Sequence, residues 1–317
     1  MQGQPAKPAP VYKEAPFFKR LAIDFQKHKY KYLLILPIIV YLILFCYKPM
    51  YGLVIAFKNY RPTRGIWGSN WVGFLWFETF FKDPYFWRLL RNTFPISGLT
   101  ILFGFPAPII LALLLNEVRS NKFKRTVQTI TYMPYFISLV VTCSLLKIYC
   151  MENGLFPQIM ELFGAQRQNL LATPKYFYHI YILSDIWQGI GWNSIIYLAA
   201  LSGIDQEQYE AARIDGANRL QQVIHITLPG LMPTITILFI LRMGNILNVG
   251  YEKILLLYNP STYEVADVLS TYTYRTGLEN QQYSLSTAVG LFNTMVNVVF
   301  LLITNYISKK STESGLF

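Results

Sequence analysis

The sequence predicts an all-α membrane protein: a bundle of six transmembrane helices with a short helix–turn–helix between the fourth and the fifth. Of the 317 residues, 53% are hydrophobic and 14% are charged, whereas about a quarter are charged in a typical soluble domain. The apolar residues fall into six runs of about 20 residues, the length that crosses a bilayer as a helix. The polar segment between the fourth and fifth runs carries start and stop signals for two short helices.

The six runs are separated by polar segments of unequal length. They cover residues 32–50, 93–115, 127–146, 179–201, 229–249 and 285–307. Prolines lie within the second, third and fifth runs. A helix bundle tolerates them, because neighbouring helices can satisfy the carbonyls that proline leaves free. An even number of spans places both termini on the same side.

The distribution of Lys and Arg predicts the orientation of the bundle. Residues 1–31, 116–126, 203–228 and 308–317 hold 15 basic residues in 78 positions, and the segments on the other side hold 11 in 110. Basic residues are enriched in cytoplasmic segments, so both termini are predicted to be cytoplasmic. The net charge of +11 is then mostly a topology signal, and no nucleic-acid partner is expected.

This topology divides the chain into four regions: a basic tail (1–31), the first span with a long outer segment (32–92), a core of transmembrane helices (93–307) and a second tail (308–317). The outer segment is rich in aromatic rings, which favour the headgroup zone of a bilayer. The same rings could form a surface for a sugar or a docking protein, and both interpretations stay open. They are Trp67, Trp71, Phe74, Trp76, Phe77, Phe80, Phe81, Tyr85, Phe86 and Trp87.

The inner segment 203–228 has the local signals of two short helices. Asp205 can cap a first helix over 206–215, with Gln208 as the partner in a capping box. Gly216 ends this helix, because glycine adopts backbone angles that other residues resist. The two helices would lie at the cytoplasmic face, between the fourth and fifth spans.

The second helix is predicted over 219–227. It is expected to end at Leu228, because Pro229 disfavours helical geometry in the residue before it. Asp215 and Arg219 are four residues apart, acid first, and could form an ion pair that supports the turn.

A longer pattern runs through the same segment: a Glu-Ala-Ala triplet, a glycine after three further residues, and an Ile-Thr-Leu-Pro run after nine more. The two alanines keep one side of the first helix flat, so another protein's groove could approach closely. In spacing and in place, the pattern resembles the EAA loop of the permease subunits of binding-protein-dependent ABC importers. Its positions are Glu210, Ala211, Ala212, Gly216, Ile226, Thr227, Leu228 and Pro229.

The resemblance implies a type I importer permease in a bacterial cell membrane. It also implies three protein partners: a second, similar permease, cytoplasmic ATPase subunits that contact this loop, and an extracytoplasmic solute-binding protein. Gly216 and Pro229 can equally be only a turn and a helix start, and both interpretations can hold together. The coupling residues implied are Glu210, Ala211, Ala212, Asp215, Gly216, Ile226, Leu228 and Pro229.

The likeness extends over nearly the whole chain. Segments such as IWQGIGWNSIIYLAALSGID and LLYNPSTYEVADVLSTYTYR resemble the sugar-importer branch, and within it the permeases for oligosaccharides derived from polysaccharides. The substrate implied is therefore a carbohydrate. An importer of amino acids or peptides is an alternative within the family. A secondary transporter or channel would call for inverted repeats, and an anchored enzyme for a catalytic cluster; the sequence has neither signal.

Polar groups inside the predicted spans are the candidates for the solute pathway, because such groups are costly in a membrane. Amides with an aromatic ring suit a sugar, and two pairs are spaced to share a helix face. The alternative is that these groups pair with each other or with a partner permease. Asp185 and Arg242 could form one interhelical ion pair. The pathway candidates are Gln188, Trp192, Asn193, Asn245 and Asn248.

The sequence gives no sign that the chain is itself an enzyme. Its histidines, His28, His179 and His225, fall in different regions, so no catalytic or metal-ligating cluster is expected, nor any cofactor. A phosphate-binding GxxxxGK[ST] loop is absent, so ATP hydrolysis is expected on a separate subunit. The three cysteines are predicted to be ordinary buried or lipid-facing thiols; they are Cys46, Cys143 and Cys150.

Overall fold

The structure is a computed structural model that describes residues 17–312, 315 and 316. Most of these residues are helical. The ends of the two predicted tails lie outside the described residues; these are residues 1–16, 313, 314 and 317. The chain forms two compact units, Met1–Val54 and Ile55–Phe317.

The described residues of the first unit form a run of helices that contains one apolar span. It begins with α1 (Phe17–Tyr41), continues through a π-helical turn over Leu42–Tyr47, and reaches α2 (Lys48–Met50). The span Lys27–Phe57, which extends slightly past the unit, is long and apolar enough to cross a membrane. Its side chains are exposed over residues 27–50, apart from two that are half-buried. A helix that is apolar on all sides needs an apolar surrounding, and lipid supplies it.

The second unit opens with a small subdomain of two short strands and two short helices. β1 (Lys58–Asn59) pairs antiparallel with β2 (Asn70–Trp71), so that Lys58 lies opposite Trp71. The helices α3 (Gly65–Gly68) and α4 (Leu75–Lys82) flank the second strand. Indole Nε1 of Trp76 donates to the carbonyl of Lys58 at 2.9 Å and fixes α4 against the hairpin.

The predicted second span is longer than expected. The helices α5 (Tyr85–Leu99) and α6 (Pro106–Glu117) are joined by a π-helical turn over Thr100–Gly104. Together they form one apolar helix over Tyr85–Glu117. Prolines thus sit inside a continuous span, as a bundle allows.

The third predicted span is not one straight helix. α7 (Asn121–Tyr132) and a 3-10 turn over Met133–Phe136 meet α8 (Leu139–Cys150) at a bend of 98°. Ile137 has extended backbone angles, and Ser138 caps α8 by accepting from the N–H of Val141 at 3.3 Å. The sequence of 127–146 hides this break, because the residues at the break, such as Met133 and Phe136, are as apolar as those of the helices on either side.

The fourth predicted span lies in α10 (Pro174–Leu201), a helix of 28 residues and about 42 Å. It is long enough to cross a bilayer but carries more polar side chains than the other spans. It follows α9 (Leu155–Leu162) and a 3-10 turn over Leu170–Ala172. By length and composition, four helices qualify as spans in the described part, and the bent pair makes a fifth.

The remaining helices complete the bundle. α11 (Gln206–Ile214), α12 (Arg219–Gln222), a π-helical turn over Val223–Thr227 and α13 (Leu228–Met243) follow α10. Three short helices then precede the last span. They are α14 (Tyr251–Leu257), α15 (Tyr263–Ala266) and α16 (Leu269–Tyr274), followed by a π-helical turn (Arg275–Glu279) and α17 (Tyr283–Thr312).

One buried carboxylate joins α5 to the helix α16 and the turn that follows it. Asp267 is 1% exposed, and its oxygens accept from both terminal nitrogens of Arg275, at 2.7 and 3.3 Å. Arg88 of α5 lies 3.5 Å from the same carboxylate, and the Thr271 hydroxyl donates to it at 2.7 Å. Such a carboxylate is stabilised because its charge is paired and its lone pairs are used.

Candidate functional site

The segment between α10 and α13 forms the predicted helix–turn–helix. Asp205 caps α11, and its carboxylate accepts from the N–H of Glu207 at 3.0 Å. The capping box predicted with Gln208 does not form there. It forms instead at the start of α12, where Asn218 and Gln221 exchange two side-chain-to-backbone hydrogen bonds of 2.7 and 2.9 Å.

Gly216 ends the first helix as predicted. Its φ is +78°, in the left-handed region that residues with a Cβ resist. α11 stops at Ile214 with Asp215 as its cap. The N–H of Ala217, just past the glycine, donates back to the carbonyl of Ala212 at 2.8 Å, so the turn satisfies carbonyls that the helix end leaves free.

The second helix does not end before Pro229; this prediction was wrong. Leu228 is helical, and a single apolar helix runs over Arg219–Met243. A π-helical turn precedes the proline, with the N–H of Leu228 donating to the carbonyl of Val223. This wider turn rearranges the hydrogen bonds around the N–H that proline lacks, so the helix continues through it.

The Glu-Ala-Ala triplet faces outward on α11. Glu210 and Ala211 are exposed, and Ala212 is half-buried beside a cavity of about 300 Å³ that Gly216 and Ile226 also line. Asp215, Leu228 and Pro229 are exposed as well. The loop therefore presents its motif residues on an accessible surface.

Two exposed apolar side chains on this loop were not among the predicted site residues. Ile214 is 87% exposed and Leu220 is 67% exposed. They lie on either side of the Gly216 turn, in a segment that is otherwise polar. A single exposed apolar residue is common on protein surfaces, so the available signal was their position in a polar loop next to the Glu-Ala-Ala motif.

Two contacts tie the loop to the membrane helices. The Tyr209 hydroxyl lies 3.0 Å from the hydroxyl of Thr227, which is 1% exposed. Arg219 pairs with Glu117, at the end of α6, at 3.1 Å. Arg219 therefore forms its ion pair with Glu117, 102 residues earlier in the chain, and not with Asp215 as predicted.

A polar cavity lies at the other end of α13. Two neighbouring cavities, of about 620 and 380 Å³, are lined by α5, α10, the end of α13 and the turn after it. They share four lining residues at their junction. These are Thr100, Asp185, Arg242 and Asn248.

The pathway candidates all line these cavities. Trp192, Asn193, Asn245 and Asn248 line the larger one, and Gln188 lines the smaller one with Asn248. The structure therefore brings all five predicted residues to one continuous polar region.

Gln188 and Trp192 also hold the bend in the third span. The Gln188 side-chain amide donates to the carbonyl of Ile137 at 3.2 Å. The Trp192 ring stacks on Tyr135, with 4.7 Å between ring centres and 5° between their planes. One face of this indole is therefore covered, and a sugar could use only the other.

Asn245 and Asn248 do not share a helix face, because α13 ends at Met243. They lie in the turn that follows, where Asn248 donates to the side-chain oxygen of Asn245 at 3.0 Å. Asn293 of α17 in turn donates to Asn248 at 2.8 Å. Each amide has two N–H groups, so the two turn asparagines keep donors for a solute.

Asp185 pairs with Lys253, which corrects the predicted pairing with Arg242. Lys253 Nζ donates to Asp185 at 3.3 Å and to the carbonyl of Tyr181 at 3.1 Å. It also lies 4.7 Å from the centre of the Tyr181 ring. Burial lowers the pKa of the Lys253 ammonium, and the Asp185 charge opposes that shift. Lys253 was not singled out, because it follows the fifth span in sequence.

An outward-facing loop and a polar cavity at opposite ends of one apolar helix define a membrane transport subunit. Residues 104–313 match the family described as binding-protein-dependent transport system inner membrane component, and the chain belongs to this family. It is a permease subunit of an ABC importer, as the sequence predicted.

Individual relatives agree with this assignment. The polygalacturonan/rhamnogalacturonan transport system permease protein YteP of Bacillus subtilis (strain 168) is 44% identical over 314 residues, which cover 99% of this chain and 98% of that protein. A bacterial ABC transporter that imports the acidic polysaccharide alginate contains a chain with a TM-score of 0.85 and 44% identity, covering 92% of this chain and 99% of that one.

A second structure of this kind includes an extra protein. It is a bacterial alginate ABC transporter in complex with an alginate pentasaccharide-bound periplasmic protein. Its matching chain has a TM-score of 0.85 and 43% identity, covering 94% of this chain and 100% of that one.

Proposed function

We propose that this chain forms one half of the membrane pathway of an importer for oligosaccharides. A solute-binding protein delivers the oligosaccharide from outside, a second permease completes the pathway, and separate ATPase subunits drive it from the cytoplasm. Both termini then lie in the cytoplasm. The observation that carries the proposal is one helix, Arg219–Met243, which joins the loop that carries the motif to the polar cavity.

The mechanical link follows from this helix. Its 25 residues span about 38 Å, which is enough to cross the hydrocarbon core. Glu210 and Gly216 lie before its first turn, and Arg242 lies in its last turn. A displacement of the loop by the ATPase therefore moves the cavity lining at the other end, because a packed helix moves as a rigid element.

The ATPase contact is assigned to the exposed side of the loop. Glu210, Ala211, Asp215 and Gly216 are accessible there, with Ala212 at the edge of the small cavity. Ile214 adds an apolar side chain to this surface. Ile226, Leu228 and Pro229 connect the loop to α13, and Tyr209 reinforces the connection through Thr227.

The carbohydrate substrate is supported by the chemistry of the cavity and by the relatives. Amide, carboxylate and indole groups converge there, and such groups bind hydroxyls and the apolar faces of sugar rings. The relatives named above transport polygalacturonan, rhamnogalacturonan or alginate.

The proposal is tested by ATP hydrolysis in liposomes that contain this chain, its partner permease, the ATPase and the binding protein. We expect Glu210→Lys with Ile214→Glu to abolish stimulation by solute-loaded binding protein, because both changes disrupt the contact surface. Glu152→Lys, the same charge change in an exposed turn after α8, serves as the matched control. Full stimulation in the double variant would overturn the role of the loop.

A further inference from the structure

Arg242 is the cationic group at the junction of the two cavities. It lines both of them and is only half-buried. Among the residues that the structure describes, no carboxylate lies within 4.0 Å of its guanidinium, and no side-chain hydrogen bond engages it. An arginine offers five N–H donors, so this side chain can offer them to a molecule in the cavity.

The acids that line the cavities do not neutralise Arg242. Asp185 lines both cavities, but its charge is paired with Lys253, whose side chain is 4% exposed and held by Tyr181 as well. Glu252 lines only the smaller cavity and accepts from the Tyr251 hydroxyl at 3.3 Å. The larger cavity, with the Asp185–Lys253 pair counted as neutral, therefore keeps one positive charge.

We infer that Arg242 binds a carboxylate of the solute, and that the imported oligosaccharide contains uronic acid residues. This inference rests on the proposed function. A guanidinium matches a carboxylate in two parallel N–H···O bonds, which a neutral sugar cannot offer. Asp185 and the amides of Asn245 and Asn248 remain for the hydroxyl groups.

The surroundings of Arg242 suit this role. Asn248 lies at the same junction, and its amide is oriented by hydrogen bonds to Asn245 and from Asn293. Because Asp185 pairs with Lys253, it does not form an ion pair with the Arg242 guanidinium. The two basic groups thus have different roles: the buried one neutralises the acid of the cavity, and the half-buried one remains for the solute.

Binding is measured directly on the detergent-solubilised complex with its partner subunits, by the change in tryptophan fluorescence. The binding protein is left out, so that its specificity does not contribute. The probes are uronate trisaccharides from polygalacturonate and from alginate, and the same trisaccharides with their carboxyl groups reduced to hydroxymethyl groups. The variants are Arg242→Gln and Arg242→Lys. Arg91→Gln, on an exposed position of α5, is the matched control.

For the unmodified chain, we expect the uronate to bind more tightly than its reduced form. Arg242→Gln should lower this preference about 10- to 100-fold, the effect of losing charge-assisted hydrogen bonds, and Arg242→Lys should restore part of it. Arg91→Gln should keep it. Co-purification of the partner subunits tests whether Arg242 instead pairs with the other permease; loss of assembly in Arg242→Gln would overturn the inference.

Two further outcomes separate the inference from the proposed function. If the complex binds reduced trisaccharides as well as uronates, and Arg242→Gln changes neither, the importer still transports oligosaccharides but Arg242 does not select acidic ones. If no saccharide binds and none is taken up when the binding protein is added, the proposed function itself fails, and the inference with it.

Discussion

Lys253 and Asp185 are 68 residues apart in the chain, yet the ammonium of one lies 3.3 Å from the carboxylate of the other. The two partners differ in exposure: the lysine side chain is 4% exposed and the aspartate side chain 47%. Removing either partner therefore has unequal consequences, because water can hydrate the aspartate but not the lysine.

We predict that Asp185→Leu destabilises the protein more than Lys253→Met does. The first change leaves a buried ammonium without its counter-charge, at a cost of about 3 kcal/mol, whereas the second leaves a carboxylate that solvent reaches. Thermal unfolding of the purified complex in detergent gives the order. The double variant should be no less stable than Asp185→Leu, and equal effects of the two single changes would contradict the burial argument.

Lys253→Met should also weaken the binding of uronates. Without Lys253, the charge of Asp185 is no longer neutralised, and the positive charge that Arg242 presents at the junction is offset. The expected loss is about tenfold, since one uncompensated charge that lines the same partly hydrated cavity contributes about 1.4 kcal/mol. Titration with the same trisaccharides measures it, and an unchanged affinity would show that Lys253 has only a structural role.

Gly216→Ala tests the backbone of the loop without touching its side chains. A Cβ at this position meets nothing within 4 Å, so the whole cost comes from the φ of +78° and amounts to about 1–2 kcal/mol. We expect weaker stimulation of the ATPase and a loss of stability no larger than this backbone cost. Gly98→Ala in α5, where a Cβ also meets nothing within 4 Å, is the control and should stimulate normally.

Gly191→Ala tests how closely α10 approaches α7. A Cβ on Gly191 would overlap the carbonyl of Thr131 and lie 2.9 Å from the Tyr132 ring. Because backbone cannot yield as a side-chain tip can, the two helices must separate, and we expect a loss of at least about 2 kcal/mol. Gly290→Ala in α17 has open space at its Cβ, so its unfolding temperature should stay near that of the unmodified chain. Similar values for both variants would contradict the close packing.

Two ion pairs of similar length should contribute very differently to stability. Asp267 and Arg275 are 2.7 Å apart with the carboxylate 1% exposed, while Arg167 and Glu161 are 2.6 Å apart with both side chains nearly half exposed. We expect Asp267→Ala to cost about 3–5 kcal/mol and Glu161→Ala less than about 1 kcal/mol. Raising the salt concentration should reduce only the second effect. Comparable losses in thermal unfolding would count against this difference.

Much of the fold and of the loop could be predicted from the chain itself, because the signals are local. Long apolar runs mark the spans, since a helix in lipid must be apolar along its length. Asp205 marks the start of α11 and Gly216 its end, since capping and left-handed geometry depend on one residue and its immediate neighbours. The spacing of the Glu-Ala-Ala motif identified the family for the same reason.

The tertiary structure decided what depends on residues far apart in sequence. The third span is bent at Ile137, whose carbonyl accepts a hydrogen bond from Gln188 of α10. No local pattern in the third span predicts this partner. Lys253 forms an ion pair with Asp185, so the charge of Arg242 remains available in the cavity. Ion pairs depend on distance in space, whatever the separation of the two residues in the chain. The sequence by itself determined most of the helices and the motif, whereas packing decided where the third span bends and which charges meet.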